Sequence, residues 1–392
     1  MSTHSAQVVI VGASLAGANA AEELRQQGYQ GGIVLIGDED HLPYERPPLS
    51  KGFQLGDADL ESAQLHPADW YEERSIELLT GQAASDLDLA EHSVRVGERT
   101  MGYDKLLLAT GATPRRYELA DQSGARVRYL RTLEDAADLK RHLRGRVLVV
   151  GAGWIGLEIA AAIRAADGRV VVTEAAPLPL ARVVGPEIAT AFADLHRAHG
   201  VDLRLSTTVT DINHQGDQTI VRLSDGTEVS VDLIVVGIGA VPRAELAVAA
   251  GLDCDNGVLV DATLRASDPD VFAAGDVANH DHPGLGRLRV EHWDNAIEQG
   301  KHAARTILGG SAPYERMPYF FTDQYDLGME YLGHVGRDGY DEVRIVGDLA
   351  GLVFSAYWTK GDRVLAGMHA NDWDAIETIR AVVGGPVSSI PG

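Results

Sequence analysis

The chain carries one local pattern twice: an apolar strand, a glycine-rich turn, a helix, a second strand and a closing acid. The first copy opens with Gln7-Val-Val-Ile-Val11, whose β-branched run reads as a buried parallel strand. It passes into Gly12, Ala13, Ser14, Leu15, Ala16 and Gly17. Leu15, Ala18, Ala21 and Leu24 then share one helical face, and Gly28 can end the helix. Gly32-Ile-Val-Leu-Ile36 is the next strand, closing on Asp38 and Glu39. The second copy begins at Arg146-Val-Leu-Val-Val150, turns through Gly151, Ala152, Gly153, Trp154, Ile155 and Gly156, and predicts a helix from about Leu157 to Ala166. Arg169-Val-Val-Val-Thr173 follows and ends in Glu174.

This is the strand–turn–helix signature of a dinucleotide fold. The first glycine allows the tight turn, the last lets helix and strand pack closely, and the helix N-terminus offers free N–H groups to a pyrophosphate. In the first copy Ser14 replaces the middle glycine, so a side chain stands where phosphates approach. Asp38 or Glu39 is spaced to accept from a ribose, as is Glu174 in the second copy. A carboxylate at Glu174 favours NAD over NADP; Arg182 is the nearby cation that could weaken this preference. Two such folds imply two nucleotides, and an FAD with an NAD gives an electron path that two NAD sites would lack.

Later segments agree in order and spacing. Tyr103 to Gly111 reads as a strand ending in Ala109, Thr110 and Gly111, and Thr113-Pro114 leaves it as a domain crossing would. Thr219 to Leu223 and Glu228 to Ile238 read as strands, the latter running on to Gly237 and Gly239. Asp270 to Ala274 is a short strand before Gly275 and Asp276, whose carboxylate could bond a ribityl hydroxyl. Glu291 to about Ile307 is a helix with a small-residue face of Ala296, Gly300 and Ala304. Its N-terminal dipole would stabilise negative charge on a nearby flavin edge.

The single cysteine, Cys254, rules out an intrachain disulfide, a redox dithiol or a cysteine zinc cluster within these 392 residues. No metal is expected. A net charge of −23 argues against nucleic acid. The start, Met1-Ser2-Thr3-His4, lacks a basic or long apolar leader, so a cytoplasmic protein without membrane attachment is expected.

Pro43-Tyr44-Glu45-Arg46-Pro47-Pro48-Leu49-Ser50-Lys51, Gly151 to Glu158, the Trp293 helix and Pro318 to Tyr325 together resemble the NADH-dependent ferredoxin reductases that serve bacterial cytochromes P450 and Rieske oxygenases. The resemblance runs nearly end to end. It implies a glutathione-reductase-like α/β fold without the redox disulfide. The parts would be a discontinuous FAD domain (1–113 and 239–315), an NAD domain (114–238) and a C-terminal α+β domain (316–392). It implies that Arg46 and Lys51 contact FAD, that Lys51 sits near flavin N5 paired to Glu158, and that Pro43 and Ala13 lie close to the ring. Trp293 would flank the ring near the docking side, or simply fill core. NADH would pass hydride to flavin N5, and single electrons would leave to a [2Fe–2S] ferredoxin. Lys301, Arg305, Arg287 and Arg289 form a candidate docking patch, or a plain solvated basic face. Thr322 and Phe321 depart from the family's usual serine and tryptophan, and both read as remote from the redox chemistry. Two other readings stand beside this one: delivery of electrons to rubredoxin, a quinone or oxygen, and a redox-responsive interaction protein.

Overall fold

The computed structural model describes residues 6–56, 59, 61–216, 218–336 and 338–391. Met1 to His4, on which the expectation about a leader rests, lie outside the described residues. The chain divides into two compact units: Met1–Glu45, Glu61–Thr113 and Val241–Pro318 form one, and Arg46–Leu60, Pro114–Ala240 and Tyr319–Gly392 the other.

The first unit is built on a five-stranded sheet ordered Val271–Ala273, Lys105–Leu108, Gln7–Val11, Gly32–Ile36, Ile76–Leu79. All four pairings are parallel. The central strands are buried beyond their first residue, as their unbroken apolar runs require. Helix Leu15–Gln26 buries its Leu15, Ala18, Ala21 and Leu24 face and packs on helix Trp293–Ile307. The small residues make this approach possible: a Cβ at Gly300 would lie 2.2 Å from the Ala16 carbonyl oxygen. That face is the one the spacing of Ala296, Gly300 and Ala304 predicts, although the helix begins at Trp293 rather than Glu291.

The second unit repeats the plan. Its five-stranded sheet is ordered Asp202–Arg204, Arg169–Thr173, Arg146–Val150, Leu233–Val236, Val127–Arg128, again all parallel. In both sheets the fingerprint strand lies between its successor and a strand from much later in the chain. This places each glycine turn at the point where strand order reverses, the usual crevice for a ligand. Helix Trp154–Ala165 starts before the predicted Leu157, directly after the turn. The predicted single strand from Glu228 to Ile238 is instead two. Glu228–Val231 pairs antiparallel with Gln218–Leu223, whereas Leu233–Val236 enters the parallel sheet. Asp232 makes the break: it accepts from the Arg146 backbone N–H at 2.8 Å and pairs with the Arg146 guanidinium at 2.6 Å.

From Tyr319 the pattern becomes antiparallel. A five-stranded sheet runs Tyr319–Gln324, Leu327–Gly333, Arg363–Ala370, Val353–Lys360, Glu342–Asp348, and helix Ala375–Val382 lies against it. Strand Tyr319–Gln324 is one edge of this sheet. Its Phe320 ring packs 5.1 Å from Trp154 at the head of the second fingerprint helix. Residues 46–56 belong to the same unit through side-chain bonds between residues distant in sequence. Arg46 donates to the Arg131 carbonyl at 2.6 Å, Gln54 to the Ala136 carbonyl at 3.0 Å, and Lys140 to the Phe53 carbonyl at 2.6 Å. No helix among the described residues is long and apolar enough to cross a membrane.

Candidate active site

The first glycine turn is drawn tightly against its neighbours. Gly12 has φ +121°, and a Cβ there would lie 2.0 Å from the Ala109 carbonyl oxygen. A Cβ on Gly17 would meet the Gly12 carbonyl at 2.0 Å, and one on Gly275 the Ala16 methyl at 3.1 Å. Gly12, Ala16, Gly17, Ala109 and Gly275, chosen from three separate stretches of sequence, therefore meet at one place. Gly275 is fixed by its N–H, which donates to Gln299 Oε1 at 2.9 Å from the neighbouring helix. The Asp276 carbonyl accepts from Arg289 at 3.0 Å. Thr110 Oγ1 donates to the Arg243 carbonyl at 2.6 Å, and Arg243 N–H donates to the Gly111 carbonyl at 2.9 Å. Asp38 pairs with the Arg243 guanidinium at 2.8 Å, while Glu39 accepts the Tyr44 hydroxyl at 2.5 Å. Ala13 packs against Gly37 at the end of the second strand. Burial pushes the Glu45 carboxyl above the usual range, and the neighbouring Trp293 side chain partly offsets the rise.

The second turn is similar but more open. Gly151 has φ +101°, and its Cβ would lie 2.3 Å from the Gly237 carbonyl; a Cβ on Gly156 would meet Gly151 at 2.1 Å. Gly153 has nothing within 4 Å of its Cβ position. Ile155, two residues further and already in the helix, is 47% exposed. The Glu174 carboxylate accepts from the N–H groups of Ala152 and Ala176, each at 2.8 Å, which fixes it at the rim of the turn. The Gly239 carbonyl accepts from Arg115 N–H at 2.9 Å, and Arg182 is exposed in the first turn of helix Ala181–Ala198.

Both turns fit an anionic pyrophosphate. The helices begin at Ser14 and Gly153 with no side-chain cap and no acid in the first turn. Their terminal N–H groups and positive dipole ends are left for a ligand.

Lys51 and Glu158 form the expected pair, with Lys51 Nζ 2.8 Å from Glu158 Oε1 and Glu158 only 5% exposed. The pair has company that sequence reasoning passed over. Ser50 Oγ donates to Glu158 Oε2 at 2.5 Å, and Thr322 Oγ1 to Glu158 Oε1 at 2.6 Å. The Phe321 ring lies 5.2 Å from Lys51 Nζ. Thr322 and Phe321 are thus not remote, as the sequence suggested: strand Tyr319–Gln324 delivers both onto the Lys51–Glu158 pair. Burial also raises the Asp323 carboxyl, against the lowering effect of Lys51. Ser50 and Gln324 stand within motifs that carry the resemblance, yet nothing in the sequence assigned either to Glu158, and Gln299 carried no signal.

The candidate docking patch is internally compensated. Lys301 faces Glu298 at 3.5 Å, Arg305 faces Glu23 at 2.8 Å, and Arg289, itself 9% exposed, faces Glu291 at 2.6 Å. Arg287 donates to the carbonyls of Val260 and Asn279.

Two parallel dinucleotide folds with open turns, followed by an antiparallel domain, define an oxidoreductase architecture. The chain belongs to the pyridine nucleotide-disulphide oxidoreductase family, whose model matches residues 6–300. It is 39% identical over 369 residues to putidaredoxin reductase of Pseudomonas putida, covering 92% of this chain and 87% of that protein. It is 36% identical to the ferredoxin–NAD(+) reductase component of the 3-phenylpropionate/cinnamic acid dioxygenase of Photorhabdus laumondii, covering 98% of each. Among solved structures, the covalent putidaredoxin reductase–putidaredoxin complex matches with TM-score 0.92 and 37% identity, covering 96% of this chain and 93% of that one. The family's name includes a disulphide; this chain has one cysteine.

Proposed function

We propose that this protein is an FAD-containing NADH:ferredoxin reductase supplying a [2Fe–2S] ferredoxin of a cytochrome P450 or Rieske oxygenase system. The observation that carries the reading is the pair of uncapped fingerprint turns, one of them rimmed by Glu174. The relatives named above are a putidaredoxin reductase and a ferredoxin–NAD(+) reductase component, and a putidaredoxin reductase was solved in covalent complex with putidaredoxin. In this reading residues 1–113 and 239–315 bind FAD, 114–238 bind NADH, and 316–392 form the third domain, in a cytoplasmic protein.

Gly12, Ala13, Ser14, Ala16 and Gly17 hold the FAD pyrophosphate, with Asp38 or Glu39 at its ribose. Ala109, Thr110, Gly111, Gly275, Asp276 and Arg46 complete that site. Gly151, Gly153, Ile155 and Gly156 receive the NADH pyrophosphate, Gly237 and Gly239 line its path, and Glu174 accepts from its ribose; a carboxylate there repels a 2′-phosphate. Bound FAD supplies the chemistry of taking up a hydride and releasing electrons singly. Lys51 places a cation beside the ring, held there by Glu158, and Trp293 flanks it. Orientation does most of the work, because hydride transfer needs no acid or base of its own. Cys254 takes no part: it is half-buried, and burial raises its thiol, so little thiolate is present.

Stopped-flow absorbance tests the reading. NADH should bleach the flavin within milliseconds, air should restore it slowly, and an added [2Fe–2S] ferredoxin should restore it fast. Rapid turnover with oxygen alone would favour the oxidase alternative and overturn the ferredoxin assignment.

A further inference from the structure

A line of buried polar side chains leads away from Glu158 inside the second unit. Thr322 is fully buried, Gln324 is 1% exposed and His196 is fully buried. Gln324 Nε2 lies 3.2 Å from Thr322 Oγ1, Gln324 Oε1 lies 2.8 Å from His196 Nε2, and His196 Nδ1 lies 3.2 Å from the Tyr325 hydroxyl. The His199 ring stacks on Tyr325 at 3.7 Å and closes the outer end.

Chemistry sets the direction of every bond in this line. A carboxylate only accepts, so Thr322 must donate its single hydroxyl proton to Glu158. Thr322 Oγ1 must then accept, which it does from the Gln324 amide N–H. The Gln324 carbonyl can only accept, so His196 donates from Nε2. A neutral imidazole with its proton on Nε2 presents Nδ1 as an acceptor, and Tyr325 donates there. Tyr325, His196, Gln324 and Thr322 thus all donate toward one carboxylate. Reversing any link would leave a buried acceptor facing an acceptor. Burial keeps the His196 imidazole neutral, with its pKa lowered to about 4, as the line requires.

We propose that Thr322, Gln324 and His196 are positioning residues. Together they fix the Glu158 carboxylate in one orientation and, through it, the Lys51 ammonium. This rests on the reading that Lys51 works beside the flavin, and it extends that reading to side chains in a helix and a strand far apart in sequence. Ser50 holds the second carboxylate oxygen, so loss of Thr322 frees Oε1, the oxygen that Lys51 touches.

The test uses the full-length FAD-loaded protein. Thr322→Val removes the donor at constant shape, Thr322→Ser keeps it, and Gln324→Met cuts the line one link further out. Lys51→Met assigns the Lys51 ammonium signal in ¹⁵N NMR and checks the flavin reading. Two quantities are read: the Lys51 signal, and flavin reduction by NADH as a saturating rate and a half-saturating concentration. Thr322→Val and Gln324→Met should shift or broaden the Lys51 signal and slow the saturating rate by about tenfold, with half-saturation nearly unchanged, since misplacement at a reacting centre costs rate. Thr322→Ser should track the parent chain. If Thr322→Val does not fold, Gln324→Met decides. An unmoved Lys51 signal in the variants that fold overturns the proposal. A moved signal in chains where even Lys51→Met leaves reduction unchanged upholds the positioning and overturns the placement of Lys51 at the flavin.

Discussion

Gly12 and Gly153 occupy equivalent-looking turns but are glycine for different physical reasons. At Gly12 a Cβ would overlap the Ala109 carbonyl at 2.0 Å, and the backbone φ of +121° disfavours any side chain. Gly12→Ala should therefore cost ~3 kcal/mol or more of stability, read as a lowered unfolding midpoint. At Gly153 φ is −78° and the space is open, so the folded chain alone tolerates alanine. Gly153→Ala should leave the unfolding midpoint nearly unchanged yet raise the half-saturating NADH concentration, because the methyl stands where the pyrophosphate must approach. An unaltered NADH dependence would remove Gly153 from that site. Glu174→Ala should raise the half-saturating NADH concentration by about tenfold, in proportion to one lost charge-assisted bond, and narrow the NADH-over-NADPH preference in initial-rate assays. The glycines and Glu174 were legible because each lies within one strand–turn–helix pattern, even where the crowding comes from a distant residue such as Ala109. Ser50, Thr322 and Gln324 were not, because a hydroxyl or an amide signals nothing until the fold brings it to Glu158.

Among elements, those with a strong period and near partners were readable. Gln7–Val11, Gly32–Ile36, Arg146–Val150 and Arg169–Thr173 run between the residues their apolar patterns suggest. The split at Asp232 was hidden, since Glu228–Val231 and Leu233–Val236 are both apolar enough to read as one strand and only their different partners separate them. Helix Ala181–Ala198 was also missed; Gly185, at φ +74°, and Pro186 break its apparent period near the start. That helix carries His196, and strand Ala278–His282 of the other unit carries His280; burial lowers both imidazoles to about 4. The sign of the consequence is definite. The unfolded chain binds these protons near pH 6.5 and the folded chain does not, so stability falls as pH drops from 6.5 toward 4. Each histidine should remove about 1.5 kcal/mol between pH 6.5 and 5. Urea midpoints across that range should show the decline, and His196→Gln should remove about half of it, leaving the His280 share; a flat profile in the parent chain would show that these rings charge freely when folded.

At the scale of the molecule, both parallel sheets set a later strand, the fingerprint strand, its successor and a third strand side by side, and each places its glycine turn at the reversal of strand order; they differ at the outer strand, Val271–Ala273 following the rest of its sheet in the chain and Val127–Arg128 preceding the rest of its own. Doubling of the fold was readable from the repeated fingerprint alone. The grouping of residues 46–56 with the second unit was not, because it depends on Arg46, Gln54 and Lys140 finding backbone carbonyls far along the chain. The claim on which the functional account turns is that these two turns hold different nucleotides, one of them a flavin. Anaerobic titration of the purified protein with NADH measures this directly. The account predicts a yellow protein that releases FAD on denaturation and whose visible flavin band is bleached by a stoichiometric amount of NADH. A colourless protein that takes up no FAD on reconstitution, or a bound flavin that NADH leaves oxidised, would contradict it.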